Sequence, residues 1–439
     1  MAQTLTSNFA GLLTEAFSRD KVFAPFERAM CKFYDSIQEF PNEEPLGKGR
    51  TFGIRTKDAH AVGAGLESTA VVPTFRQPEV LQANIDAVQV IGTCSWSELM
   101  MSAGRGLGSL GPDVITDHVD MTMRNFMSCL NRLSLGHGTG RLAAVEANTS
   151  SSTTTVMRNP EGVLQLRVNM LIDYFDTDTT GGTKQGQSET ISAIDFETRT
   201  ITHSSRSLTA NWGVYQALTS SVSTASVTPD TGIYGLRATA DDGELTTKIY
   251  GLTRSSNPGV NATVLDVASG TQAYSEKLMR KAVNRVLFQC GLEPDEAWTN
   301  KGIISEHLNH LVGDRTFMLG PGDNVPKYRI GQKDNELGFQ NGGTFIPFKV
   351  DLDLPAREIV FIKRSMFRRH VLRKPNWIGD DSGIDGSAKA IMLQLPASGG
   401  SYELAKIAIM LGMMNIGNKM PKSTVRVSTL FDEELAGDA

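Results

Sequence analysis

One stretch decides the fold, residues Gly111–Gly140, GPDVITDHVDMTMRNFMSCLNRLSLGHGTG. Its apolar residues recur every three or four positions, which places them on one face of a helix. These residues are Ile115, Val119, Met123, Phe126, Leu130 and Leu133. Pro112 suits the first helical position, where its missing N–H costs nothing, and the glycines from Gly136 onward end the helix. Such a helix would be about 35 Å long, so the pattern predicts a spine for other elements.

The length and composition predict a folded protein with more than one lobe. The chain has 439 residues, too many for one compact core, and its 40% hydrophobic and 21% charged residues argue against disorder. A formal net charge of −5 argues against binding of nucleic acid through overall charge. The start has no signal-peptide pattern, and the longest apolar run, Ile407–Met414, is too short to span a bilayer, so no membrane partner is expected.

The residues before the spine helix predict a long hairpin. A short amphipathic helix is predicted around Phe33 and Ile37, ended near Pro41 and Pro45. From residue 47 to residue 91 the sequence is first glycine-rich and basic at its base, and then alternates as a strand does in VLQANIDAVQVIG. Two extended arms joined by a loose tip cannot bury themselves, so this hairpin needs a partner surface.

The residues after the spine helix predict a mixed α+β chain. Residues 141–268 are rich in Thr, Ser and Gly, and strand-patterned runs lie between their polar turns, which predicts a compact β-rich insertion. These runs are VLQLRVNMLIDYF, TISAIDFETRTIT and, less clearly, YGLRATADDGELTTKIYGL. Helices are predicted at Tyr274–Cys290 and Gly302–Val312. Strand-like runs follow in TFIPFKVDL, REIVFIKRSMFRRHVL, AKAIMLQLP and STVRVSTL.

The order of these elements resembles the major capsid protein of tailed bacteriophages, which has the Hong Kong ninety-seven-type fold. GRTFGIRTKDAHAVGAGLESTAVVPTF resembles its extended loop, the E-loop, and GPDVITDHVDMTMRNFMSCLNRL resembles its spine helix. AVNRVLFQCGLEPDEAWTNKGIISEHLNHLVGDR is similar to its pair of axial-domain helices. KPNWIGDDSG and YELAKIAIMLGMMNIGNKMP are similar to its closing peripheral and axial segments. The resemblance spans almost the whole chain in order and implies this α+β capsid fold.

The resemblance also implies seven segments. They are residues 1–46, N-terminal arm and short helix; 47–91, extended E-loop hairpin; 92–140, peripheral domain with the spine helix; 141–268, β-rich inserted domain; 269–355, axial domain; 356–411, peripheral-domain strands; and 412–439, axial-domain return and C-terminus. No long helical segment precedes the arm, so a fused scaffolding domain is not expected and a separate scaffolding protein is implied.

The function implied by the resemblance is structural. Copies of the chain would self-assemble as hexamers and pentamers into the icosahedral head shell around the double-stranded DNA of a tailed phage. The shell would assemble in the host bacterial cytoplasm, mature from a procapsid and become the virion capsid. The implied partners are a scaffolding protein, a portal protein, packaged DNA in weak non-specific contact, and a decoration protein as a further candidate. No enzymatic activity and no cofactor are expected.

Two clusters of cations are predicted to contact neighbouring subunits. One lies at the hairpin base and contains Lys48, Arg50, Arg55 and Lys57. The other lies in Arg357–Lys374, where Glu358 is the one acid, and contains Arg364, Arg368, Arg369 and Arg373. Binding to DNA phosphates is the alternative for this second cluster. A strand would split its charges between two faces, however, and the acidic balance of the chain favours carboxylates of a neighbour.

Covalent crosslinking is weighed for the hairpin. Some relatives join subunits by a Lys–Asn isopeptide bond, for which Lys57 would be the donor and Asn335, Asn341 or Asn376 the acceptor. Such a bond also needs a carboxylate in an apolar pocket. Most relatives have no crosslink, and none is expected here.

Other chemistry finds little support in the sequence. Glu306, His307 and His310 share a predicted helix, but the absence of a further ligand nearby in the sequence favours a polar helix surface over a metal site. GRGLGSLG imitates a phosphate loop without the lysine of that motif, which favours a hinge. Two alternatives to a phage capsid remain. One is an encapsulin-like bacterial compartment shell, and the other is an enzyme with a β-rich accessory domain.

Overall fold

The computed structural model describes most of the chain. The described residues are 32–40, 49–57, 74, 77–97, 110–159, 161–176, 183–217, 232–267, 271–315, 332–333, 336–341, 344–377, 393–396 and 402–431. The predicted N-terminal arm up to residue 31, the hairpin tip at 58–73 and the predicted hinge at 104–109 lie outside these residues. No helix within the described ranges is both long enough and apolar enough to cross a membrane.

The described residues form a mixed α+β protein in which strands predominate. The helices are α1 (Lys32–Ser36), α2 (Leu110–Leu135), α3 (Leu236–Thr239), α4 (Glu276–Cys290) and α5 (Lys301–Arg315). The strands of the first half are β1 (Gly49–Lys57), β2 (Glu79–Asp86), β3 (Val88–Ser97), β4 (Arg141–Ala144), β5 (Thr149–Val156), β6 (Leu171–Phe175), β7 (Glu189–Thr190), β8 (Ala193–Asp195), β9 (Thr200–Leu208) and β10 (Gly213–Gln216). The remaining strands are β11 (Lys248–Ile249), β12 (Leu252–Thr253), β13 (Thr263–Leu265), β14 (Glu296–Thr299), β15 (Gln332–Lys333), β16 (Glu336–Asn341), β17 (Thr344–Val350), β18 (Ile359–Ile362), β19 (Phe367–Trp377), β20 (Leu393–Pro396), β21 (Tyr402–Asn418) and β22 (Val425–Val427).

Helix α2 occupies the stretch predicted to form the spine, and that prediction is confirmed. Phe126 and Leu130 of its apolar stripe are buried, whereas Met123 is 40% exposed, so the stripe is not buried along its whole length. The helix ends at Leu135, and Gly138 and Gly140 then adopt φ angles of 90° and 79°. Such left-handed conformations cost glycine little, and they turn the chain away after the helix.

One compact unit comprises the described residues within 1–35, 87–131 and 371–414. Its sheet has the order β19–β21–β20, and β3 also pairs with β21, antiparallel from Val88↔Met414 to Ser97↔Ala405. Gly92 of β3 lies against α2, because a Cβ there would stand 3.2 Å from the Phe126 ring. The buried apolar residues of this unit include Val90, Cys94, Phe126, Leu130, Met410 and Met414.

The second unit comprises the described residues within 36–86, 132–370 and 415–439 and contains a seven-stranded sheet. The strand order is β13–β22–β18–β14–β17–β16–β15. Helix α4 packs its apolar stripe, Met279, Ala282, Val283 and Val286, into the core of this sheet. Ser275 caps its first turn by accepting a hydrogen bond from the Leu278 N–H at 3.3 Å. Helices α4 and α5 confirm the two helices predicted for this part of the chain.

The β-rich segment of the second unit has a core of its own. Its strands form a four-stranded sheet, β4–β10–β6–β7, and a three-stranded sheet, β5–β9–β8. The apolar core between Leu142 and Val214 includes Met157, Tyr174 and Ile201. Strand β13, which lies inside the predicted insertion 141–268, pairs in parallel with β22 of the seven-stranded sheet. The separate core therefore belongs to residues 142–214.

Two strand predictions in this region were wrong in extent. VLQLRVNMLIDYF forms a strand only over Leu171–Phe175, and residues 161–169 form turns. YGLRATADDGELTTKIYGL contains the short helix α3 and a turn, and only β11 and β12 are strands. The turn forms because the Asp241 carboxylate accepts hydrogen bonds from the backbone N–H groups of Gly243, Leu245 and Thr246. This local bonding competes with a strand ladder.

The predicted hairpin forms over β1 and β2, and its apolar face is covered within the chain. Residues 88–91 of the predicted second arm instead belong to β3, which pairs with β21. Strands β1 and β2 are antiparallel from Gly49↔Asp86 to Lys57↔Glu79. Ile54 and Ile85 are buried against Phe40 and Tyr250 of the same chain. For this face of the described hairpin, residues of the same chain that are distant in sequence therefore supply the predicted partner surface.

Candidate functional site

A network of buried ion pairs in the second unit is centred on Glu358, the residue before β18. Its carboxylate is 2% exposed. It accepts two parallel hydrogen bonds from Arg237, from Nε to Oε2 at 2.7 Å and from Nη2 to Oε1 at 2.8 Å. Arg426 of β22 donates a third from Nη1 at 3.2 Å. Two-pronged bonding of this kind is the strongest form of arginine–carboxylate pairing.

The network continues on both sides of Glu358. Arg237 also donates to Glu161 at 3.1 Å, and Arg141 donates to the same carboxylate at 2.7 Å. Arg426 reaches Asp241 at 3.4 Å and Glu244 at 2.6 Å. Arg254 lies 3.7 Å from Asp241 and donates to the backbone oxygen of Asp241 at 2.7 Å. Four arginines therefore meet four carboxylates, and the network as a whole is balanced in charge.

The charges fix the protonation states within the network. Although burial raises the pKa of Glu161, Arg141 and Arg237 hold that pKa well below its ordinary value. Burial lowers the pKa of Arg237, but Glu358 and Glu161 outweigh it and raise the pKa above its usual range. Burial, and then Arg141 and Arg237, lower the pKa of His137 well below 6.5. The Glu161 carboxylate therefore stays ionised and the His137 imidazole stays neutral. The ion pairs of the network hold together segments that are distant in the chain.

Asp241, Asp242 and Glu244 are the described residues that most resemble a metal site. Their carboxylate oxygens lie within 4.8 Å of one another. Asp241 is buried, however, and its oxygens accept hydrogen bonds from backbone N–H groups and from Arg426. Glu244 pairs with Arg426 at 2.6 Å. The donors that surround these carboxylates therefore explain the cluster without a cation.

The cations predicted at the hairpin base differ in their surroundings. Lys57 pairs with Glu79 on the opposite strand at 2.6 Å, with both side chains substantially exposed. The guanidinium of Arg50 lies over the Phe40 ring, 4.8 Å from its centre. Arg55 is exposed on the outer face of β1, and Lys48 lies outside the described residues. Contact of these cations with a neighbour stays a prediction.

The second predicted cluster is divided among several intrachain contacts. Arg364 pairs with Glu296 at 3.2 Å, and Arg369 pairs with Glu39 at 2.9 Å. Arg368 donates to backbone oxygens of Ser365 and Phe367 at 2.8 and 2.7 Å. Arg373 is half-buried on β19. The role of these cations between subunits stays a prediction.

The prediction of a polar helix surface is wrong for His307. His307 is 2% exposed, and its Nδ1 lies 2.7 Å from the Tyr274 hydroxyl. Its ring packs edge-on against Phe348. Burial, and then His310, lower the pKa of His307 to about 4. His307 is therefore a neutral core residue at physiological pH, whereas His310 on the same helix is exposed.

Sequence reasoning missed the buried ion network because its members lie far apart in the chain. Arg237 and Glu358 are separated by 121 positions, and Arg426 and Asp241 by 185. Glu358 stood out only as the one acid in a basic segment. That isolation was the available signal, since a lone acid among arginines near a buried apolar strand invites internal pairing.

Comparison with known proteins identifies the fold as that of a phage capsid. No protein-family model matches the sequence, and no curated protein matches it either. Among solved structures, the chain is similar to the Cyanophage A-1(L) capsid asymmetric unit, with 12% identity, a TM-score of 0.52, and coverage of 96% of this chain and 99% of that one. A structure from Mycobacterium phage Bobi matches with 12% identity, a TM-score of 0.43, and coverage of 96% and 97%. The capsid of Myoviridae Phage XM1 matches with 9% identity, a TM-score of 0.42, and coverage of 94% and 96%.

The first of these similarities extends over nearly the full length of both chains. The chain therefore has a phage capsid fold, and the fold class predicted from the resemblance is confirmed.

Proposed function

We propose that this chain is the major capsid protein of a tailed phage, a structural subunit of the icosahedral head shell. The observation that carries the proposal is the shared fold over 96% of this chain and 99% of the cyanophage capsid chain. The buried ion network further supports a structural role, because its charged groups are consumed in mutual pairing.

The proposal extends to assembly and partners. Subunits would associate as hexamers and pentamers into a shell that encloses double-stranded DNA, with a separate scaffolding protein, a portal protein and a decoration protein as candidate partners. The segments assigned to the arm (1–46), the E-loop (47–91), the peripheral domain (92–140 and 356–411), the insertion (141–268) and the axial domain (269–355 and 412–439) are part of this proposal.

The outer face of the hairpin supports its proposed role as an inter-subunit loop. Val80 is 61% exposed there and stands opposite Arg55. The inner face anchors the hairpin to its own subunit through Ile54 and Ile85. A hairpin that is anchored at its base and exposes an apolar and a charged side chain beyond that base is suited to reach a neighbour.

Assembly of the purified protein tests the proposed function. We expect light scattering and negative-stain microscopy to reveal capsomers or closed shells, with the chain alone or with a coexpressed scaffolding protein. Repeated weak contacts across a closed lattice add up to stable association. A protein that stays monomeric at every salt concentration and with a scaffold present would refute the shell function.

A shortened hairpin tests the proposed inter-subunit loop. Replacing Arg55–Phe75 by a short Gly/Ser turn keeps Ile54 and Ile85 in the core, so the subunit should keep a near-normal melting temperature while shell formation is lost. Lys57→Ala is the matched control, because it removes one exposed ion pair, worth about 1 kcal/mol or less, and should leave shells intact. Normal shells from the shortened protein would show that the hairpin is not the inter-subunit loop.

A further inference from the structure

The outward face of α4 carries a stripe of cations that ends in an exposed aromatic ring. We call Lys277, Lys281, Arg285 and Phe288 the α4 stripe; they follow one another at steps of four, four and three residues, which places them along one side of a helix. All four side chains are exposed, and Phe288 is 86% exposed. The stripe is therefore a continuous basic surface with an apolar end.

Nothing in the described part of the chain neutralises this stripe. Arg280 and Glu276 form an ion pair at 2.8 Å on this side of α4. This pair does not involve any of the three cations of the stripe. The opposite side of α4 supplies the apolar contacts to the core. The stripe thus suits a segment that combines carboxylates with an apolar side chain.

Such a segment follows β22 in the same chain. Residues 432–439, DEELAGDA, hold Asp432, Glu433, Glu434 and Asp438, no basic residue, and one large apolar residue, Leu435. These residues lie outside the described part of the chain. Their charge and composition complement those of the α4 stripe.

The position at which this segment begins is close to the start of α4. Leu430 is fully buried, and the N–H of Phe431 donates to the backbone oxygen of Gln272 at 2.9 Å. Gln272 lies four residues before Glu276, the first residue of α4. The acidic segment therefore leaves the described structure beside the N-terminal end of the helix that carries the stripe.

The distances allow the segment to lie along the stripe of its own chain. Lys277 and Arg285 are eight positions apart, or about 12 Å along a helix, whereas the seven residues from Asp432 to Asp438 can extend over about 23 Å. Carboxylates are also favoured near a helix N-terminus by the helix dipole. Attachment beside the helix gives the segment a high effective concentration there, which a separate partner lacks.

We propose that residues 432–438 dock on the α4 stripe of the same chain, with their carboxylates against Lys277, Lys281 and Arg285. The docked segment covers a basic and apolar surface that would otherwise be open to neighbouring subunits or to nucleic acid. Each pair is solvent-exposed and contributes modestly, so docking is weakened by high salt. This inference does not depend on the proposed shell function.

Zero-length crosslinking of the full-length, unassembled protein tests the proposal. A carbodiimide joins a lysine to a carboxylate only when the two are in contact, and mass spectrometry identifies the linked peptides. In an equal mixture of ¹⁴N- and ¹⁵N-labelled protein, we expect Lys277 or Lys281 to be linked to residues 432–438 in peptides of a single isotope. Peptides of mixed isotope would assign the contact to a neighbouring copy and overturn docking within one chain. Absence of these links would overturn the proposal altogether.

Lysine acetylation provides an independent measurement. The variant Asp432→Asn, Glu433→Gln, Glu434→Gln should increase the acetylation rates of Lys277 and Lys281 by about threefold, the size expected for loss of an exposed ion pair. The exposed Lys248 serves as the internal reference, and Asp242→Asn is the control for loss of a carboxylate elsewhere. Equal rates in the variant and the parent protein would contradict the proposal. An unchanged melting temperature shows that the variant is folded.

Discussion

Replacing Glu358 by glutamine should destabilise the unassembled subunit by about 3–5 kcal/mol, the cost of removing one partner from a buried ion pair. The Glu358 side chain is 2% exposed and accepts hydrogen bonds of 2.7 and 2.8 Å from Arg237 and of 3.2 Å from Arg426. Glutamine keeps the size but removes the charge. Four buried or partly buried arginines would then face three carboxylates, and one positive charge would lack compensation.

Urea unfolding at neutral pH measures this loss. Trp298 of β14 is 3% exposed, so its fluorescence should report the opening of the seven-stranded sheet. The matched control is Glu276→Gln, which removes the partner of Arg280 from an exposed pair and should cost at most about 1 kcal/mol. A Glu358→Gln variant as stable as this control would refute the role assigned to the network.

A double variant separates the charge effect from the loss of packing. Arg237→Met together with Glu358→Met removes one charge of each sign and leaves Glu161 paired with Arg141. Because neither sign is left in excess, the double variant should be less destabilised than the sum of its two single variants. An additive result would mean that the two side chains do not interact energetically.

Three further outcomes are expected. Boiled shells should run as a single band near the chain mass of 47.6 kDa on a denaturing gel, because burial and charge pairing suffice for cohesion; a ladder of oligomers would reveal covalent crosslinks. Residues 141–217 expressed alone should unfold cooperatively by circular dichroism, since they contain the separate apolar core; a disordered spectrum would contradict this. Burial lowers the pKa of His307 to about 4 in the folded protein, against about 6.5 in the unfolded chain. Between about pH 6.5 and pH 4 the unfolded state therefore binds more protons than the folded state, so the folded protein loses stability as the pH falls through this range. His307→Gln should therefore reduce the drop in melting temperature between pH 7 and pH 5, and a drop equal to that of the parent protein would exclude His307 as the cause.

The sequence predicted those elements whose pattern is local. Helix α2 could be found because its apolar spacing, its Pro112 and its closing glycines all lie within one stretch. The antiparallel pairing of β1 and β2 could be found because both arms alternate and a glycine-rich segment joins them. In each case the neighbours in sequence supply most of the information about the structure.

The predictions that were wrong concern residues whose partners are distant in sequence. The sequence predicts that the hairpin needs a partner surface, but no local pattern reveals that Phe40 and Tyr250 of the same chain cover the face that carries Ile54. His307 was placed on a polar surface, because its contacts with Tyr274 and Phe348 come from other elements. Burial of a side chain is a property of the assembled fold, and a single sequence records it only weakly.

The position of β22 within the seven-stranded sheet has a consequence for when the subunit can finish folding. Strand β22 lies between β13 and β18, although more than 150 residues separate it from β13 in the chain. A nascent chain that has not yet reached Val425 leaves one edge of β18 open and deprives Glu358 of its contact with Arg426. Long-range pairing of this kind slows folding, and open strand edges favour aggregation. The seven-stranded sheet can therefore be completed only after Val425–Val427 has been synthesised.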